Sequence, residues 1–72
     1  MAGVKVTAVV TREGGLFVAR GVEVDVASQG ESVDVALRNL QEAIELYFED
    51  EADAPPSLPP AEVRSIEVSI PA

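Results

Sequence analysis

Ser28-Gln29-Gly30-Glu31-Ser32-Val33-Asp34-Val35-Ala36-Leu37-Arg38-Asn39-Leu40-Gln41-Glu42-Ala43-Ile44-Glu45-Leu46-Tyr47-Phe48 is the stretch on which the fold turns. From Val33 the apolar residues fall at 33, 36, 37, 40, 44, 47 and 48, with Ala43 beside them. That spacing is helical and runs for more than three turns. It leaves Arg38, Asn39, Gln41, Glu42, Glu45 and Glu49 on the outer face. Ser32 is placed to cap the helix, because its hydroxyl can accept from a free first-turn amide, and Asp34 complements the positive end of the dipole. Ser28 to Glu31 reads as the loop leading in. At the other end, Glu49-Asp50-Glu51 puts carboxylates against the negative end of the dipole, so fraying is expected there. A helix with one apolar stripe must lie on something, and the flanking sequence says what.

Upstream, Gly3 to Arg12 alternates, with Val4, Val6, Ala8 and Val10 on one face and Lys5, Thr7, Val9 and Thr11 on the other. Period two with β-branched residues predicts a strand with one buried face. Glu13-Gly14-Gly15 is a tight turn, since adjacent glycines supply the positive φ angles a hairpin needs. Leu16 to Val22 resumes as a second strand, with a bend or bulge expected at Gly21. Val22, Val24 and Val26 alternate against Glu23 and Asp25, which predicts a third strand with an acidic outer face. Short connections favour an antiparallel meander.

Downstream, Ala54-Pro55-Pro56-Ser57-Leu58-Pro59-Pro60 holds four prolines, which remove amide donors and fix φ. It reads as a semi-rigid extended connector inside the domain. Val63 to Ile70 then alternates Ile66, Val68 and Ile70 with Ser65, Glu67 and Ser69, and Pro71 ends it, predicting a fourth strand at the sheet edge, parallel to its neighbour. The expected fold is therefore α+β in the order βββαβ: a three-stranded antiparallel meander, one helix on one sheet face, and an added edge strand. The other sheet face would carry Lys5, Thr7, Val9, Phe17, Glu23 and Asp25, a mixed surface suited to an interface.

The 72 residues make one domain, 1–72, and a chain this short buries only about 60% of its unfolded surface. With no cysteine and no histidine, neither a disulfide nor a zinc cluster can compensate, so a homodimer or higher homo-oligomer is expected. Thirteen acids against five bases give a net charge of −8, which disfavours direct contact with a phosphate backbone and suits a basic partner. The first ten residues form neither a signal peptide nor a membrane span, and a cytoplasmic protein is expected.

Without histidine or cysteine there is no imidazole base and no thiol nucleophile. Neither phosphate-cradling glycine motif is present, and Gly14-Gly15 leads into a strand rather than a helix. Asp25, Glu31, Asp34 and Glu42 are the candidates for magnesium, but they fall on expected solvent faces and strand one contributes none. The serines have no identifiable base, and Tyr47 reads as a half-buried residue of the helix seam. No catalytic residue, cofactor or metal is expected, and the chain reads as a binding protein rather than an enzyme.

Val26-Ala27-Ser28-Gln29-Gly30-Glu31-Ser32, followed by Ala36-Leu37-Arg38-Asn39-Leu40-Gln41-Glu42-Ala43-Ile44-Glu45-Leu46-Tyr47, resembles the HicB family of bacterial antitoxins, and the likeness covers about residues 4 to 70. The resemblance implies a partial ribonuclease-H-like fold without ribonuclease activity. It also implies binding and neutralisation of a small basic toxin of the HicA type, an mRNA-cleaving protein. On the acidic third strand, Glu23 and Asp25 are the expected partner contacts. Many HicB-like chains continue into a helix-turn-helix or ribbon-helix-helix segment that binds operator DNA; this sequence stops at Ala72, so autoregulation of transcription by the chain itself is not expected. The sequence also departs from the family at Glu23-Val24-Asp25-Val26-Ala27, where relatives carry a Pro-Gly-Cys-type turn. The alternative is a stand-alone homo-oligomeric structural or regulatory domain with no toxin partner.

Overall fold

A computed structural model describes residues 3–49 and 59–71. Two strands, β1 (Ala8–Glu13) and β2 (Leu16–Gly21), form an antiparallel hairpin in which Glu13 faces Leu16. Gly14 makes the turn possible: its φ of 65° lies in the left-handed region that side-chain-bearing residues avoid. Strand β3 (Ala27–Gly30) pairs antiparallel with β2, and the sheet order is β1-β2-β3. Helix α1 (Val33–Glu49) follows after two residues. The fold is α+β, with the expected meander and a single helix among the described residues.

The third strand is not where period-two alternation places it. Residues 22–26 form a bend instead of a strand, and the strand is the Ala27-Ser28-Gln29-Gly30 segment read from sequence as a loop. Close backbone packing at the corner is the cause. Gly21 N–H donates to the Val26 carbonyl at 2.9 Å and Val22 N–H to the Thr7 carbonyl at 2.9 Å, closing the bend. A Cβ on Gly21 would lie 2.6 Å from the Val24 carbonyl oxygen, so only glycine fits. Val24 turns inward and is 6% exposed. Gly30 is buried where the chain enters the helix; a Cβ there would meet the Ala36 amide nitrogen at 2.6 Å.

The helix starts as its sequence predicts. Ser32 Oγ accepts from the Val35 amide at 3.2 Å, and the Ser32 carbonyl accepts from the Ala36 amide at 2.9 Å. Its inner stripe buries Ala36, Leu40 and Ile44 against Ala19 of β2, with Val6, Val10, Phe17, Val26 and Phe48 packed around them. Phe17, expected on the outer sheet face, is on the helix face instead: it is opposite Arg12, whose guanidinium lies 5.7 Å from its ring centre. The helix lies over β3 and β2 and touches β1 least. Among the described core hydrophobics Ala19 and Ala36 are the two at 0% exposure, and no large side chain is fully enclosed.

The expected fourth strand does not form. Among the described residues 59–71 no strand is present, and Val63, Ile66, Val68 and Ile70 stand 73%, 84%, 67% and 84% exposed. The alternating pattern is intact, but nothing beside it supplies a ladder of backbone partners. The chain accordingly has a radius of gyration of 14.6 Å and a longest extent of 51 Å, where a packed chain of this length has a radius of about 11 Å. Most of the connector expected over 54–60, and Asp50 and Glu51 of the expected frayed end, fall outside the described residues; Glu49 is still helical.

Candidate partner-binding surface

Glu23 and Asp25 belong to the bend over residues 22–26, not to a strand, and they do different things. The Glu23 carboxylate accepts from the Thr7 backbone N–H at 2.6 Å and from the Thr7 hydroxyl at 2.7 Å. It fastens the bend to the residue just before β1, sixteen residues earlier in the chain. The hydroxyl's hydrogen bond holds its carboxyl below the ordinary range; partial desolvation opposes this, and the Thr7 amide adds to it. Each of its two oxygens already accepts one hydrogen bond within the protein. Asp25 is exposed.

The larger concentration of exposed acid is on the helix. Asp34, Glu42, Glu45 and Glu49 are all exposed, and steps of eight, three and four residues put them on one stripe opposite the buried one. Arg38 interrupts the stripe, and Glu31 precedes it. Other acids are paired locally: Glu13 with Arg20 at 3.3 Å and Glu62 with Arg64 at 2.9 Å, all of them solvated. Such exposed pairs contribute about 0–1 kcal/mol each. The side of the sheet away from the helix carries Val9, Leu16 and Val22, each at least a third exposed, beside the Arg20–Glu13 pair. It is mixed rather than acidic. The helix ridge is absent from the partner contacts expected from sequence, although the helical period carries the signal for it; the Thr7–Glu23 clamp has no signal in local spacing.

Asp25, Glu31, Asp34 and Glu42 are not gathered as magnesium ligands would be; among the described residues no group of three or more acids converges. Asn39 Nδ2 donates to the Gln29 carbonyl at 2.8 Å, tying the helix to the open side of β3. Among the described residues no helix is long and apolar enough to cross a membrane.

Residues 4–69 match the model of a protein family described as a family of unknown function, DUF7387. The chain belongs to this family. The match spans both the sheet-and-helix unit of the DUF7387 chain and its exposed C-terminal segment. No curated protein and no solved structure matches it.

Proposed function

We propose that this DUF7387 chain is a protein-binding domain of antitoxin type, not an enzyme, which binds and neutralises a small basic HicA-type mRNA-cleaving toxin in the cytoplasm. The observation that carries the reading is the exposed acidic ridge Asp34, Glu42, Glu45 and Glu49 on a helix whose opposite face is anchored in the core. A rigid row of carboxylates attracts a basic partner over a Debye length and accelerates encounter. The HicB-like stretch from Val26 to Ser32 and the helix after it supply the partner class. Asp25 and Glu31 extend the same negative field, and Glu23 acts by holding the bend that presents Asp25.

The test is titration of the purified chain against a small basic toxin encoded beside it. Reversing Glu42, Glu45 and Glu49 to lysine should weaken the complex at least about tenfold and flatten its salt dependence. Asp25→Lys should have a smaller effect of the same sign. No complex at micromolar concentration, or a complex indifferent to the reversals and to salt, removes the reading. A second reading, a homo-oligomeric domain without a toxin, is favoured by the exposed apolar residues of the segment 63–70.

A further inference from the structure

Two unfinished features of the protomer match one another. One is the edge of β1. Val22 N–H donates to Thr7, so by alternation Thr7, Val9 and Thr11 turn their backbone groups toward β2. Ala8, Val10 and Arg12 therefore turn theirs outward, and among the described residues no strand pairs with them. The opposite edge of the sheet differs. On β3 the outward carbonyl of Gln29 already accepts from Asn39, and the helix packs most closely on that strand. An open, unprotected edge is a template for another strand.

The second feature is the segment 63–70. From Ser65 it alternates polar and apolar residues as a half-buried strand does, yet the three large apolar side chains of that face, Ile66, Val68 and Ile70, are all at least two-thirds exposed. Such a row is stable only where its apolar side is covered. The place that lacks cover is the β1 side of the helix-bearing sheet face. There the helix makes least contact, Val10 is only half-buried and no large side chain is enclosed.

We infer that residues 63–70 of one copy add as a strand to the β1 edge of a second copy, and that the exchange is reciprocal, giving a two-fold dimer. The partner is a second copy rather than the segment's own sheet because within the protomer, among the described residues, the segment is unpaired and its apolar side chains remain exposed. Backbone pairing at the edge gives affinity, and Ile66, Val68 and Ile70 facing the helix side give specificity. Reciprocal addition closes the pair under two-fold symmetry and gives each copy cover for a segment that has none among the described residues of its own protomer. The inference is independent of any toxin.

Mass measurement by light scattering, joined to isotope-filtered nuclear Overhauser spectroscopy on a mixture of labelled and unlabelled full-length chain, tests it. The expected result is twice the chain mass, with cross-chain contacts from the Ile66, Val68 and Ile70 methyls to Ala8 and Val10. The double variant Ile66→Glu, Ile70→Glu should weaken dimerisation by about a hundredfold or more. If that variant does not fold, the spectra of the unaltered protein still decide. A single-chain mass at the highest concentration, contacts found only within one chain, or a dimer untouched by the substitutions overturns the inference.

Discussion

Glu23 is an acid whose surroundings give it a structural task. Its folded carboxyl titrates below its ordinary range because Thr7 donates to the charged form. A group whose pKa is lowered by folding adds stability above its unfolded pKa and loses it as pH falls through the folded value. Glu23→Gln should therefore lower the melting temperature at pH 7, and the gap from the unaltered protein should narrow as the solution is acidified below about pH 4. Thermal unfolding followed by circular dichroism at both pH values checks this. Thr7→Val should show the same pH dependence, since it removes the hydroxyl donor. Gly30 makes a harder demand. An alanine Cβ would lie 2.7 Å from Val35 Cγ1 and 2.9 Å from the Val35 carbonyl carbon, besides the Ala36 amide. Backbone does not yield as a side-chain tip does, so Gly30→Ala should cost about 1–3 kcal/mol in chemical denaturation.

Among the elements, the hairpin and the helix were legible in the sequence, and the third strand was not. Gly14-Gly15 and the alternation around it specify a two-residue turn through local chemistry alone. The apolar spacing from Val33 specifies the helix over its whole length. The third strand failed because Val22-Glu23-Val24-Asp25-Val26 has the same period as a strand while its backbone is committed to a corner by Gly21. Ala27-Ser28-Gln29-Gly30 in turn carries turn-forming residues and becomes a strand only because β2 lies beside it. Glu23 and Asp25 were thus placed on the wrong element, whereas the acids of the helix needed only its period. The helix is also the element most sensitive to truncation: Leu40 is 3% exposed at the centre of the cluster. Leu40→Ala should cost about 2–5 kcal/mol. A domain of this size has a stability of roughly 4–11 kcal/mol, so the urea midpoint should fall by a large fraction. Ser32→Ala, which removes only the cap, should cost about 1 kcal/mol.

For the molecule as a whole, the seam between its two layers holds small side chains where it is most completely closed. Ala19 on the sheet and Ala36 on the helix are both wholly enclosed and belong to one cluster. Each offers a single methyl group at the seam between sheet and helix. Widening either methyl lifts the helix like a shim under a beam. The tie from Asn39 to Gln29 cannot lengthen to follow, because a hydrogen bond is lost within a few tenths of an ångström beyond about 3.5 Å. Bulk added at the middle of the molecule is thus felt at its margin, where β3 would be freed to accept a strand it now refuses.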